Sequence, residues 1–372
     1  MTETLPLSAQ LSAAFVALAI EIDNAAELDI AHRTTAEGPG GHGAVWLASI
    51  AMWFSAIRAL SDADELTVAE LRQRTGLDTN VDGLRRWGYA TLNGVGHPLD
   101  ARPRPIPAPS SVLHLTARGR DAAAIWAPLP AEIERRWRER FGGTTIDELR
   151  SALVAVTQVE KRKLPDYLPI LTFGLRAEHP QKPWSTSARS AADAGTDASL
   201  PLVSLLARAL LSLTLDYEAT AQLALPVWAN GLRLLSPLPV PVRDLAARAG
   251  VGKEAMAMVL KQVEGAGCAE TTPVPGGRGK QIGLTSVGQR ALSVAEIRVA
   301  ELNHGWGSCT ESQADALRAA LGPLIGDGTR SGSALFDGLE PGVANWRVGS
   351  RPAEHLPWYP LVLHRGGYPD GS

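Results

Sequence analysis

An internal duplication is the strongest constraint that this sequence places on its fold. A segment near residue 68 recurs near residue 242, with apolar, basic and glycine positions matching at one constant offset. The matched positions are Val68, Leu71, Arg74 and Gly76 in the first copy and Val242, Leu245, Arg248 and Gly250 in the second. Further matches follow in the same order, among them Trp137 with Trp306. Because a repeated sequence builds a repeated structural unit, the sequence predicts two similar units in one chain.

The second copy contains the clearest local pattern, a helix-turn-helix. A short helix is predicted over Val242–Ala249 and stops at Gly250. The next helix carries Met256, Leu260 and Val263 at spacings of four and three, which places them on one inward face. Glycines at positions 265 and 267 end this second helix.

A basic hairpin follows, with a tip predicted over Pro275–Lys280 and a helix that begins after Thr285. Helix, turn, helix and hairpin together are typical of a winged helix-turn-helix, which inserts its second helix into the major groove of DNA. The outward face of that helix presents four candidate DNA contacts, namely Lys253, Glu254, Ala257 and Lys261. Arg278 and Lys280 at the hairpin tip are placed to reach a phosphate or the minor groove.

The first copy has the same order with a shorter second helix. A helix is predicted up to Thr75, the next carries Val81 and Leu84 inward, and a hairpin spans residues 94–114. Its candidate DNA contacts are Thr79, Asn80, Arg85 and Arg86 on the helix and Arg102 and Arg104 at the hairpin tip. The interval between bounding glycines is five residues shorter here (76 to 88) than in the second copy (250 to 267). Two unequal reading heads predict an asymmetric site, with half-sites roughly 34–36 Å apart.

Four regions are predicted: a first repeat over residues 1–175, a linker over 176–199, a second repeat over 200–326 and a Gly/Pro-rich tail over 327–372. The chain has 372 residues and a net charge of −3, so nucleic-acid contacts must come from local patches. Its two cysteines match no metal spacing and favour a reducing compartment. Without a signal peptide or an apolar run long enough to span a bilayer, the expected location is the cytoplasm, with no membrane partner.

Catalytic motifs are absent from the sequence. The run over residues 38–43 matches G-x-G-x-x-G but lacks the preceding hydrophobic strand that a dinucleotide site needs. There is no G-x-S-x-G, H-E-x-x-H or C-x-x-C, and His304 near Cys309 shows no third residue to orient the pair. We therefore expect no enzyme activity, no metal and no cofactor.

Each half resembles the MarR family of bacterial transcriptional regulators. The resemblance lies in the helix-turn-helix between Gly250 and Gly267, the Arg278/Lys280 hairpin and the Leu-Thr-x-x-Gly start of the following helix. It implies a mainly α fold with small β-wings, in which two tandem winged helix-turn-helix domains share a helical pseudo-dimer body. Since the family acts as a homodimer, the resemblance implies a DNA-binding regulator that is a monomer built as a one-chain pseudo-dimer.

Two functional alternatives remain open at this stage. The resembled family often senses small aromatic molecules between body and reading heads, where Trp46, Trp53 and Trp228 are the ligand-binding candidates; the competing interpretation is that these side chains only pack the core. The competing interpretation of the whole chain is a protein-interaction module that no longer reads DNA, since one recognition helix is short and the net charge is slightly negative.

Overall fold

The computed structural model of the chain describes residues 5–27, 29, 53–75, 81–86, 88–96, 107–166, 197–251, 253–326 and 334–335. Over these residues the fold is mainly helical, with two small three-stranded antiparallel sheets. The predicted helix-rich class with small β elements is therefore confirmed. In the described part of the chain, no helix combines the length and apolar character needed to cross a bilayer.

The first half contains seven helices and three strands among its described residues. They are α1 (Leu7–Glu27), α2 (Ser55–Ser61), β1 (Glu65–Thr67), α3 (Val68–Thr75), α4 (Val81–Arg86), β2 (Ala90–Leu92), β3 (Val112–Leu115), α5 (Ala117–Trp126), α6 (Leu129–Phe141) and α7 (Gly143–Gln158). Pro128, which has no N–H to donate, separates α5 from α6.

Over its described residues the second half follows the same order, except that two helices follow its hairpin where the first half has three. Its elements are α8 (Leu202–Glu218), α9 (Leu225–Asn230), β4 (Val240–Pro241), α10 (Val242–Ala249), α11 (Lys253–Gly265), β5 (Ala269–Pro273), β6 (Lys280–Leu284), α12 (Ser286–Leu302) and α13 (Glu311–Ile325). Short 3₁₀ turns lie at Asp197–Ser199, inside the predicted linker, and at Leu232–Leu234. The predicted helix over Val242–Ala249 matches α10 at both ends.

The two sheets have the same topology. The strand order is β1-β3-β2 in the first half and β4-β6-β5 in the second, so the last strand of each is central. Leu66 pairs with Leu113 in the first sheet, and Val240 pairs with Ile282 in the second. The short strand that precedes each helix pair is thereby fixed to the hairpin that follows it.

The Leu-Thr-x-x-Gly run has the same structural role in both halves. Thr116 and Thr285 cap α5 and α12 by accepting hydrogen bonds from the backbone N–H groups of Gly119 and Gly288. A Cβ at Gly119 would lie 2.1 Å from the Tyr89 carbonyl oxygen, and one at Gly288 would lie 1.8 Å from that of Cys268. Glycine is therefore required sterically wherever this helix start packs against the first strand of the hairpin.

The centre of the molecule is a helical body assembled from both halves. Helices α1 and α7 of the first half each pack against α8 and α13 of the second half. Hydrogen bonds cross the same contact: the Leu7 N–H donates to Asn303 Oδ1 at 2.8 Å, and Gln313 Nε2 donates to the Ala155 carbonyl at 2.9 Å. The two halves thus share one core.

Helix α1 is buried on nearly all sides. Its polar residues, among them Ser12 and Glu21, are buried together with its apolar ones. The reason is that α1 is enclosed by α6, α8 and α13. The Trp137 indole N–H and an Arg140 N–H donate to Glu21 Oε1 at 2.9 and 2.8 Å.

Arginine–carboxylate clusters also join the halves. Arg208 on α8 bonds Asp197 at 2.7 Å and Asp166 at 2.8 Å, and Asp166 bonds Arg58 on α2 at 3.0 Å. Asp197 is fully buried, so its carboxylate depends on protein donors. The end of the predicted linker is therefore fixed to the body.

The C-terminal tail contributes one described core residue. Leu335 is fully buried, and its carbonyl accepts a hydrogen bond from Arg140 at 3.3 Å. Since Arg140 also pairs with Glu21, this part of the tail contacts the first half although it follows the second in sequence.

Gly288→Ala should lower the free energy of unfolding by about 2 kcal/mol or more, because the new methyl group overlaps a backbone carbonyl that cannot move as a side chain does. Denaturant titration followed by circular dichroism measures the change. Gly322→Ala is the matched control: it lies within α13 with no atom within 4 Å of its built Cβ, so it should be neutral or stabilise by about 1 kcal/mol. Equal stability of both variants would contradict the steric role of Gly288.

Arg208→Met should destabilise the protein by about 3 kcal/mol, since it removes an ion partner from a buried carboxylate. Arg243→Met provides the comparison, because the Arg243–Asp244 pair is solvent-exposed and worth less than about 0.5 kcal/mol. Thermal unfolding of both variants measures the two losses of stability. Similar unfolding midpoints would mean that the buried Asp197 carboxylate does not need Arg208 as its ion partner.

Candidate nucleic-acid interface

The turn between α10 and α11 is built by a left-handed glycine. Gly250 has φ 71° and ψ 24°, a conformation that glycine adopts without steric cost. Its N–H bonds the Ala247 carbonyl at 3.2 Å, and the Val251 N–H bonds the Ala246 carbonyl at 3.0 Å. These paired bonds close the end of α10 in a Schellman arrangement and direct the chain into α11.

Helix α11 has one buried face and one exposed face. The predicted core residues Met256, Leu260 and Val263 are buried, together with Ala255 and Val259. Gly231 lies close behind the helix, because a Cβ there would stand 2.4 Å from a methyl group of Val259. Packing on this side fixes which side chains the helix presents to solvent.

The exposed face carries three of the predicted contacts. Lys253, Ala257 and Lys261 follow one another at intervals of four residues, and all three are exposed. Side chains at this spacing share one helix face. The side chain of Glu254, a fourth predicted contact, lies outside the described part of the structure.

The hairpin after α11 presents two further cations. Strands β5 and β6 pair from Ala269 with Leu284 out to Pro273 with Lys280, and glycines at 276 and 279 with positive φ shape the tip between them. Arg278 and Lys280 are both exposed at this tip. The predicted hairpin and its basic tip are present in the structure.

The charges of this unit differ from those of the helical body. Within the described residues, none of Lys253, Lys261, Arg278 and Lys280 forms an ion pair. Body arginines such as Arg162, in contrast, pair with carboxylates. Solvated cations on an exposed helix and hairpin can bind a polyanion without first breaking internal salt bridges.

The corresponding helix of the first half has a different surface. Val81 and Leu84 are buried as predicted, while Asp82 and Arg85 are only half-exposed. Arg85 Nη2 lies 3.5 Å from the Gly96 carbonyl of its own hairpin, to which it donates. Several predicted contacts of this half lie outside the described residues: Thr79, Asn80, Arg102, Arg104 and the side chain of Arg86.

The predicted ligand-binding tryptophans are core residues where they are described. Trp53 and Trp228 are both buried, and Trp228 packs beside the Tyr217 ring at a centroid distance of 6.4 Å. Trp46 lies outside the described residues. These positions agree with the core-packing interpretation, and a ligand would reach either ring only where the core opens.

Trp126 at the end of α5 is an additional aromatic candidate. It is fully buried and meets Phe54 edge to face at a centroid distance of 5.7 Å. Its indole N–H finds no hydrogen-bond acceptor within the described structure. A buried donor without an acceptor is costly, and a ligand oxygen is one way to satisfy it. No sequence motif marks Trp126, since its unsatisfied donor depends on the tertiary packing.

The two residues considered for catalysis, His304 and Cys309, lie between α12 and α13. Among the residues that the structure describes, no group of three His, Cys, Asp or Glu side chains is arranged to hold a metal ion. His304 is exposed and lies 2.8 Å from Glu311. Cys309 is buried, and burial raises the pKa of its thiol to about 11, which keeps it protonated near neutral pH.

Comparison of the chain with protein-family models, with curated proteins and with solved structures finds no match. Functional conclusions therefore depend on the geometry described above.

Both thiols should be unreactive toward a disulfide reagent at pH 8 in the folded protein. Cys268 and Cys309 are buried, and burial raises both pKa values, so the reactive thiolate is scarce and shielded. After unfolding in guanidinium chloride, both should react completely. Absorbance of the released thiol measures this, and fast reaction in the folded state would show that the hairpin or the α12–α13 connection opens.

Proposed function

We propose that this protein is a DNA-binding transcriptional regulator. The observation that carries the proposal is the exposed face of α11, where Lys253, Ala257 and Lys261 stand at helical spacing. Beside it lies a hairpin with two cations that form no ion pair within the described chain. A helix with this exposure fits the major groove, and cations on an adjoining hairpin fit the flanking phosphates.

We further propose that the chain is a tandem winged helix-turn-helix protein similar to the MarR family. The shared element order and the matching strand orders of the two sheets support this proposal. The body gives a reason for one chain to replace a dimer, because α1 and α7 already pack against α8 and α13. A monomer is therefore the proposed active form, acting on the chromosome in the cytoplasm and without enzyme activity.

A small aromatic effector remains part of this proposal. Its support is the buried Trp126 indole N–H, which lacks an acceptor within the described residues and lies beside the Phe54 ring. An effector with a ring and a hydrogen-bond acceptor would match both features.

The second candidate function is protein recognition through the same fold. It is favoured by the first half, where none of the described α4 side chains is more than half-exposed. The overall charge of −3 also provides no long-range attraction to DNA.

Fluorescence anisotropy tests the two functions directly. The purified chain is titrated into duplex DNA from upstream of its own gene, and into random duplex, at about 50 and 200 mM salt. A sequence-specific regulator should prefer the upstream duplex and lose affinity by orders of magnitude at the higher salt concentration. Equally weak binding to upstream and random duplex would leave protein recognition as the better proposal.

Replacing both Arg278 and Lys280 with Ala should weaken binding to every DNA sequence. The slope of log binding constant against log salt concentration should become shallower by about 2, since two phosphate contacts are lost. Lys161→Ala is the matched control, because Lys161 is an exposed lysine on the body. Affinities measured over a salt series give the slopes. An unchanged slope in the double variant would exclude the hairpin from the interface.

A further inference from the structure

The helices that occupy the reading position in the two halves differ in length. Helix α11 has 13 residues and α4 has 6. At about 1.5 Å per residue these helices extend about 20 Å and about 9 Å. A recognition helix reads several successive base pairs by lying along the major groove, so the longer helix has more surface for reading.

The two helices also differ in what they present. Helix α11 exposes Lys253, Ala257 and Lys261 along one face. In α4, Val81, Gly83 and Leu84 are buried and Asp82 and Arg85 are half-exposed, so no side chain described there is presented fully to solvent.

One polar side chain of α4, that of Arg85, is already engaged within the first half. Arg85 Nη2 donates to the Gly96 carbonyl at 3.5 Å, so this end of the guanidinium is held within the first half. Asp82 carries a negative charge on the same short helix, which is unfavourable beside phosphates. The exposed lysines of α11 have no such cost, because they form no ion pair within the described chain.

The chemistry of the α11 face indicates what it reads. A lysine donates to the O6 and N7 acceptors of guanine, and an alanine methyl group packs against the thymine methyl group. Ala257 lies between one lysine on each side, Lys253 and Lys261. This arrangement therefore fits a short major-groove segment in which guanines flank a thymine.

We propose that base recognition belongs to α11, and that α4, over its described residues, packs within the first half without reading bases. This inference rests on the proposed DNA-binding function and specifies its site. The preferred DNA site is then one major-groove segment, with hairpin contacts to the flanking phosphates. It differs from the pair of half-sites that the duplicated sequence predicts.

The experiment begins with the full chain and a random pool of duplex DNA, from which bound sequences are selected. The selected duplex is then examined by methylation interference at guanine N7 and by hydroxyl-radical footprinting. We expect interference in one uninterrupted cluster, with protected phosphates around it. Two clusters separated by about one helical turn, roughly 10 base pairs, would overturn the inference while leaving the proposed function intact.

Variants provide a second, independent measurement. Replacing Lys253 and Lys261 together with Ala should reduce the preference for the selected duplex over random duplex by about tenfold or more. Arg85→Ala should leave that preference unchanged, as should Lys161→Ala on the body. Thermal unfolding checks that each variant is folded. An unfolded variant is excluded from the comparison, and the footprint of the unaltered chain then tests the inference.

The remaining outcomes distinguish the two proposals. Salt-dependent binding without enrichment of any sequence would overturn base reading by α11 but retain DNA binding. No binding to the pool at low salt would overturn the proposed function and this inference together. A loss of preference in Arg85→Ala equal to that in the double lysine variant would show that both halves read bases.

Discussion

Helix α1 is buried on nearly all sides, and the groups around it come from both halves of the chain. Burial removes water from the Glu21 carboxylate and raises its pKa, while the positive charge of Arg140 and the Trp137 indole N–H partly offset that shift. The carboxylate needs these donors, and the helix needs α8 and α13 to cover its apolar residues. Among the described elements, α8 and α13 supply much of that cover, so the packing of α1 depends on the second half. A covalent connection keeps the required partner present at any protein concentration.

The elements of the second half were predictable because backbone chemistry decides them locally. Gly250 and Gly267 have positive φ, so each ends a helix where the sequence indicated. The spacing of Met256, Leu260 and Val263 correctly fixed the inward face of α11, and with it the outward one. Features set by distant contacts were not predictable from these patterns.

Three features of the structure depend on such distant contacts. The complete burial of α1 follows from packing across the two halves, which its apolar stripe alone does not reveal. The docking of Leu335 brings a residue of the Gly/Pro-rich tail against the first half, with no periodic pattern to indicate it. The bond from Arg85 to Gly96 joins residues of a helix and of its hairpin, and it ties one end of the Arg85 guanidinium to the first half.

The two halves have the same residues where packing requires them, and they differ at exposed positions that packing does not constrain. Both retain the capping threonine and the glycine against a carbonyl, since any side chain there would collide with the backbone. Both retain the same strand order. The exposed Lys253, Ala257 and Lys261 of α11 lie outside the core, so substitutions there should change stability little. Packing of the fold therefore does not require lysines at positions 253 and 261, which leaves both side chains available for the DNA contacts proposed above.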